Sequence, residues 1–414
     1  MPPTKPTMTM RGRTALALGS AARWASRLSG RGAGAMIGGL VAMTLDRSVL
    51  RQLGAGRRTA VITGTNGKST TTRMVAAALR TRGAVATNSE GANMDAGLIA
   101  ALAGDRDAAL AALEVDEMHV PHVADAVRPA VIVLLNLSRD QLDRVGEINH
   151  IERTLRAGLS RHPDAVVVAN CDDVLMTSAA YDCPKVVWVA AGGGWAGDSV
   201  SCPRSGEVIV REQEHWYSTG TNFTRPTPQW SVDGENLYGP NGLVLPMRLA
   251  LPGAVNRGNA AQAVAAAVAM GADPAAAVAA VSRVDEVAGR YRTVRIGEHT
   301  ARMLLAKNPA GWQEALSMVD KTAAGVVISV NGQVPDGEDL SWLWDVRFEH
   351  FEGTSVVAAG ERGTDLAVRL GYAGVEHSLV HDTVKAIESC PSGHVEVVAN
   401  YTAFLHLQRA LEKL

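Results

Sequence analysis

The chain has 414 residues, 47% of them hydrophobic, 20% charged and 4% aromatic, and a formal net charge of −2. That balance excludes a disordered chain, and four Cys in this length exclude a disulfide-stapled miniprotein. With no basic excess and few aromatic platforms, no nucleic-acid partner is expected. The length predicts about two to three domains, each able to bury a core.

The first 53 residues stand apart. Lys5, Arg11, Arg13, Arg23, Arg27, Arg31, Arg47 and Arg51 are set against one acid, Asp46. Residues 14–22 form a short apolar run ending in small residues, too brief to read as an export signal. Residues 32–45 are apolar but fall short of the roughly 20 residues a membrane helix needs. This segment is expected to be helical, basic and packed on the next domain. The sharper reading is a weak hold on an anionic membrane surface.

From residue 59 onward, β-branched runs alternate with Ala-rich stretches. TAVITG (59–64) reads as a buried strand and residues 69–83 as a helix. Residues 109–115, 130–137 and 165–170 are further strands, and 259–270 is an Ala-rich helix stopped by Gly271. This is the pattern of a parallel sheet with helices on both faces. Between about 195 and 245, Gly, Ser, Pro and isolated aromatics predict an inserted module of small strands. After Arg290, strands at 325–330, 354–360, 377–381 and 394–400 alternate with helices at 308–319, 362–371 and 402–414. The expected division is therefore a basic segment over 1–53, a central α/β domain over 54–295 and a smaller Rossmann-like α/β domain over 296–414. Cys171, Cys183, Cys202 and Cys390 form no CxxC pair, which places the chain in a reducing compartment, the cytoplasm.

The strongest chemical signal is VITGTNGKSTTT (61–72), a strand, a Gly-rich turn and a helix in order. Such a turn points backbone N–H groups at phosphate oxygens, and the helix start adds positive charge. Gly64, Thr65, Asn66, Gly67, Lys68, Ser69 and Thr70 are the candidate nucleotide contacts. Lys68 is expected on the outer phosphates and the Ser69 hydroxyl on Mg²⁺. The plainer reading, a βα turn with a surface Lys, is much the weaker. In ALEVDEMHV (112–120), Glu114 closes a strand on the same edge, while Asp116 and Glu117 read as a solvated helix start. His119 and His122 lack a second pair for a metal. Asn136, Asp140 and Asp143 form a polar cluster after the next strand.

The TGTNGKS loop resembles that of the Mur ligases, which join an amine to a carboxylate using ATP. In that superfamily an acid at the Glu114 position holds Mg²⁺ near the γ-phosphate. Gln141 stands where amino-acid-adding Mur ligases usually carry His. Four strings resemble one branch, the MurT family: N-L-x-R-D-Q-L-D-R-x-G-E from Asn136, LPGAVNRGNAAQ (251–262), AKNPAG (306–311) and DGEDLSWLWD (336–345). The resemblance runs from about residue 10 to the C-terminus. It implies that Asn256 and Asn259 contact adenine or ribose; an N-cap role is the plainer reading for either one but hardly explains both. It implies too that Arg290 reaches the phosphates when the domains close.

The branch departs here in one place. Many MurT proteins carry a four-Cys zinc ribbon in the insert, but Ser205, Ser218 and Thr221 stand where three of the Cys would be, beside Cys202. One thiol and three hydroxyls do not make a zinc site, so no zinc is expected and the module should be held by Trp216, Tyr217 and Phe223. No lysine marks the carbamylated residue of the amino-acid-adding enzymes.

The resemblance implies amidation of the D-glutamate α-carboxylate in the lipid II stem peptide, through an acyl phosphate. ATP and Mg²⁺ would be required, with ammonia supplied by a glutaminase partner, GatD. Neither Cys171 nor Cys390 sits in a glutaminase-like elbow. An Asp of the DGxD string is implied to complete the partner's site, Asp339 first and Asp336 second; the plainer reading makes Asp336 part of a PDG turn and Asp339 a helix cap. Trp342 and Trp344 read equally as core or partner-facing. The alternatives are a ligase adding an amino acid and a non-catalytic nucleotide-binding scaffold.

Overall fold

The computed structural model describes residues 8–28, 35–88, 92–139, 147–192, 198–285, 291–351 and 355–412. They divide into two compact units, one holding the described residues up to Ser138 and from Glu147 to Asp285, the other Arg139 and those from Tyr291 onward.

The first unit opens with three helices, α1 (Met10–Leu28), α2 (Ala35–Leu45) and α3 (Val49–Gly54). An alternating run follows: β1 (Arg58–Thr63), α4 (Lys68–Arg80), β2 (Val85–Thr87), α5 (Asp95–Gly104), β3 (Leu110–Glu114), α6 (Val120–Val127), β4 (Val131–Leu134), α7 (Glu147–Leu159), β5 (Val166–Asn170), α8 (Val174–Ala180) and β6 (Val186–Ala190). Next come β7 (Ile209–Glu212), β8 (His215–Ser218), β9 (Trp230–Asp233), β10 (Asn236–Gly239), β11 (Leu243–Pro246), α9 (Ala254–Ala269) and α10 (Pro274–Val281). The nine-stranded sheet has the order β11-β10-β9-β6-β5-β4-β1-β3-β2, parallel from β2 to β9 and antiparallel beyond. Every residue of β3 and β4, and all of β1 but Arg58, is buried, because helices cover both faces. Helix α9 buries Ala on nearly every side, since it packs on the sheet as well as on α4 and α10.

The module forecast over 195–245 does not stand as one piece. β9, β10 and β11 join the main sheet, with Val189 of β6 paired to Trp230 and the Trp230 and Leu237 side chains buried. Only β7 and β8 form a separate two-stranded sheet. Its small core is Val174, Cys202, Ile209, Trp216 and Phe223, with the Trp216 and Phe223 rings 5.0 Å apart. Tyr217, expected in that packing, is only half-buried and its hydroxyl donates to Glu212 at 3.2 Å. On an antiparallel hairpin, successive side chains point to opposite faces, so Trp216 and Tyr217 cannot both turn inward.

The second unit contains β12 (Tyr291–Ile296), β13 (His299–Leu305), α11 (Pro309–Met318), β14 (Gly325–Ser329), β15 (Val356–Ala359), α12 (Gly363–Tyr372), β16 (His377–Leu379), α13 (Thr383–Glu388), β17 (Gly393–Ala399) and α14 (Tyr401–Leu411). Its sheet order is β12-β13-β17-β14-β15-β16, parallel except for β12. One face carries a cluster of Trp312, Trp342, Phe348 and Leu366; the other carries Ile387, Val397 and Phe404. Trp312 is fully buried and stacks on Trp342 with ring centroids 5.4 Å apart. Trp312→Ala should therefore cost ~3–5 kcal/mol of stability. A urea denaturation midpoint unchanged from the parent would refute this placement of the core.

Candidate active site

β1 delivers the chain into a four-residue turn before α4. Gly64 has φ +144°, and a Cβ there would lie 2.8 Å from Leu135 Cβ and 2.9 Å from the Asn136 carbonyl oxygen, so only glycine fits. Gly67 has φ +81° and abuts the Asn259 side chain. The turn is fastened to the segment leaving β4. Thr65 N–H donates to the Asn136 carbonyl (2.8 Å), and Asn66 N–H donates to Asn136 Oδ1 (2.9 Å). Asn136 Nδ2 donates in return to the Asn66 carbonyl (3.0 Å). The Thr65 hydroxyl donates to the Ser138 carbonyl and accepts from its N–H, each at 3.0 Å.

With the turn fixed in this way, Thr71 N–H is the first of the helix to be used, bonding the Gly67 carbonyl at 2.9 Å. The amides before it, through Ser69 and Thr70, lie at the start of α4, where helix geometry leaves N–H groups unpaired and the dipole is positive. Phosphate oxygens suit that position. Lys68 Nζ donates to the Gly64 carbonyl (2.5 Å) and the Thr65 carbonyl (3.3 Å), and pairs with Glu117 Oε1 (3.2 Å). Glu117 is buried, not a solvated helix start; Asp116 does cap the short turn by accepting from Met118 N–H. Sequence reasoning missed Glu117 because its partner lies 49 residues away.

Glu114 ends β3 in register with Ile62 of β1 and is 3% exposed. Asn88 grips its backbone on both sides, donating to its carbonyl and accepting from its N–H, each at 2.8 Å. Glu114 Oε2 is buried without a hydrogen-bond partner. A stranded carboxylate oxygen is costly unless a cation supplies the missing partner, and oxygen donors suit Mg²⁺. The residues at this edge therefore fit the ion. Among the described residues no cluster of three or more His, Cys, Asp or Glu converges as a metal site. Mg²⁺ bound together with phosphates needs only one or two protein ligands.

Asn256 is buried, but its Nδ2 donates to the Pro252 carbonyl at 2.6 Å, so its side chain serves its own helix start. Gln262, which the sequence did not single out, ties α9 to the exit of β4 by donating to the Leu134 carbonyl at 2.9 Å. His119 and His122 do not converge: the first lies 3.5 Å from Asp116, the second 3.1 Å from Asp95. Asp140, Gln141, Asp143 and Arg290 lie outside the described residues.

None of the four cysteines is poised as a nucleophile. Burial, with Asp172 alongside, pushes the Cys171 thiol up to about 12. Burial raises Cys183 to about 11 and raises Cys390 as well. Cys202 alone is lowered: burial pushes it up, but hydrogen bonds from the Ser205 hydroxyl and the Arg204 and Ser205 backbone, helped by Ser218, outweigh that. It is 1% exposed and closed to substrate.

In the second unit the two candidate acids part company. Asp336 accepts from Thr402 N–H at 2.9 Å and from the Thr402 hydroxyl, which spends it on the start of α14. Asp339 is exposed and accepts only from Ser341 N–H at 2.8 Å, a local Asx turn. Trp342 is core, whereas Trp344 is exposed and meets Tyr372 edge-on with centroids 5.3 Å apart. Leu340, Trp344, Arg362 and Val368 line an open cavity of about 400 Å³ beside Asp339.

Comparison with known proteins places these features. Residues 62–267 match the Mur ligase middle domain and residues 305–404 the MurT ligase C-terminal family. A curated relative, the MurT subunit of lipid II isoglutaminyl synthase (glutamine-hydrolyzing) from Streptococcus pneumoniae, is 28% identical over 93% of this chain and 94% of its own. The Staphylococcus aureus protein of the same name is 28% identical over 98% of each chain. Among solved structures, a pseudomurein peptide ligase type C from Methanothermus fervidus superposes with a TM-score of 0.67 at 17% identity, covering 86% of this chain and 79% of that one, a likeness of fold alone. If the Asn136 clamp sets the turn, Asn136→Ala should weaken ATP binding roughly 10- to 100-fold, the value of two lost hydrogen bonds. Titration calorimetry showing parent-like affinity would sever the clamp from nucleotide binding.

Proposed function

We propose that this chain, which belongs to the MurT family of Mur-type ligases, uses ATP to amidate the α-carboxylate of D-glutamate in the lipid II stem peptide. The product is D-isoglutamine. The observation that carries this reading is the clamped Gly64–Thr70 turn with Lys68 at its centre and the stranded Glu114 oxygen beside it. A carboxylate is a poor electrophile. Transfer of the γ-phosphoryl group to it creates an acyl phosphate, which ammonia attacks with loss of phosphate. The protein's part is positioning and charge neutralisation.

In this reading the amides at the start of α4 take phosphate oxygens, and Lys68 leaves Glu117 and the turn carbonyls for the outer phosphates. Ser69 and Glu114 hold Mg²⁺, which supplies charge neutralisation on the nucleotide. Asn259, packed against Gly67, is the better placed of the two Asn for nucleotide contact, since Asn256 is engaged. The family resemblance gives Arg290 to the phosphates. The chain works in the cytoplasm, at the membrane face where lipid II presents its head group.

Ammonia comes from a glutaminase subunit of the GatD kind. The cysteines support this division of labour, since three are raised by burial and the fourth is sealed. Asp339 is the acid offered to that partner's site, because Asp336 is already committed to Thr402.

Lipid II incubated with MgATP and ammonium, or with glutamine plus the glutaminase, should yield a stem peptide about 1 Da lighter. Lys68→Ala should abolish both reactions. Asp339→Asn keeps the Asx turn and removes the charge, so ammonium-driven amidation should persist while glutamine-driven amidation falls at least ~10-fold. An intact glutamine-driven rate in Asp339→Asn would reject the role given to Asp339. Addition of an amino acid in place of amide would reject the whole assignment.

A further inference from the structure

The second helix is built inside out where it packs against the first. Across their contact, Gly19 meets Gly38 so closely that a Cβ on Gly19 would lie 2.4 Å from the Gly38 carbonyl oxygen. On α2, a Cβ on Gly39 would lie 2.0 Å from the Ala96 carbonyl oxygen of α5. The inward positions of α2, Gly38, Gly39 and Ala42, are thus reserved for small residues, and Met36, Ile37 and Leu40 are left outside. Met36 is 53% exposed, Ile37 42% and Leu40 54%; on α1, Leu18 is 49% and Trp24 68% exposed. An ordinary surface helix does the reverse, burying its large apolar side chains and exposing polar ones.

Charge says what covers this surface. Eight basic residues lie within the first 53, against Asp46 alone. Asp46 is buried and turned inward, accepting from Ser48 and Gln52. Arg11, Arg13, Arg47 and Arg51 are exposed. A second copy of the same surface would set like charge against like, which opposes self-association. Exposed apolar residues, a Trp and arginines that outnumber the acids of their own segment are the composition of a helix that lies in a lipid interface. Neither helix is long and apolar enough to cross a bilayer.

We propose that α1 and α2 form a docking element for the surface of an anionic phospholipid bilayer, the apolar side chains entering the headgroup boundary and the arginines pairing with lipid phosphates. The proposal rests on the amidation reading for its setting, because a substrate on a lipid anchor is met at that surface. Its test uses neither ATP nor lipid II, so the two readings fail separately.

The full chain is floated with vesicles of phosphatidylcholine containing phosphatidylglycerol, and with vesicles of phosphatidylcholine alone. Binding is expected to the anionic vesicles, to fall with added salt, and to drop about tenfold in Ile37→Gln/Leu40→Gln and in Arg13→Glu/Arg47→Glu. All four positions are exposed, so both variants should melt with the parent, which separates lost binding from lost folding. No flotation on anionic vesicles, equal flotation on both kinds, or parent-like binding by both folded variants would overturn the proposal. So would concentration-dependent dimerisation in light scattering that the Gln variant abolishes, which would mark the surface as an interface between copies.

Discussion

The site depends on one side chain reading one peptide. Asn136 accepts from the Asn66 N–H and donates to the Asn66 carbonyl, closing a two-bond ring between the exit of β4 and the turn after β1. An amide is the side chain that can do both, since it carries donor and acceptor at fixed separation. The ring satisfies the turn's own polar groups within the protein, so the turn is rigid without using the amides at the helix start. Rigidity and vacancy together make a phosphate site: donors already aimed need no reorganisation when charge arrives.

Around that turn the charges are deliberately incomplete. Lys68 and Glu117 form a pair with 13% and 10% side-chain exposure. Parting a sheltered pair costs several kcal/mol unless each member finds a new partner. A triphosphate gives Lys68 such a partner, which makes exchange possible where simple release is not. Among the described residues no such cation reaches Glu114, and its buried oxygen remains unpartnered. Among the described residues, two acids, Glu114 and Glu117, stand at this edge with the one Lys68 ammonium. In the proposed reading, such an edge would favour a nucleotide that arrives with its metal over a bare one.

How much of this could be read from the sequence depended on how local each signal was. The strand, turn and helix of residues 58–80 were legible because Gly, Lys and Ser fall in a short fixed order between two periodic segments. Glu114 was legible because it ends an apolar run. Glu117 was not: three residues on, it has the look of any acid at a helix start, and only the folded chain sets it against Lys68. Asn136 stood out as polar, but its clamp spans 70 residues and no spacing rule covers that. The insert was mis-segmented for a related reason. Four-residue strands such as β9 and β10 announce themselves as strands but not which sheet they extend. Trp342 and Trp344 differ by two positions and read alike, yet one is core and the other surface, because a 3-10 turn separates their directions.

The same economy applies to the acid that the proposed function assigns to a partner's site. An exposed loop is normally a poor place for a functional carboxylate, since its position wanders. Here the segment after Asp339 is stapled from below. The Arg369 side chain, 6% exposed, donates to the carbonyls of Leu343 (3.1 Å) and Val346 (2.8 Å), pairs with Glu349 and lies 5.4 Å from the Trp344 ring centre. On the other side, Asp336 anchors the segment to α14 through Thr402. Between these two fastenings the Asx turn at Ser341 sets the Asp339 backbone. An acid held by its own chain at both ends pays little entropy on meeting a partner, and that preorganisation is what the role proposed for Asp339 requires.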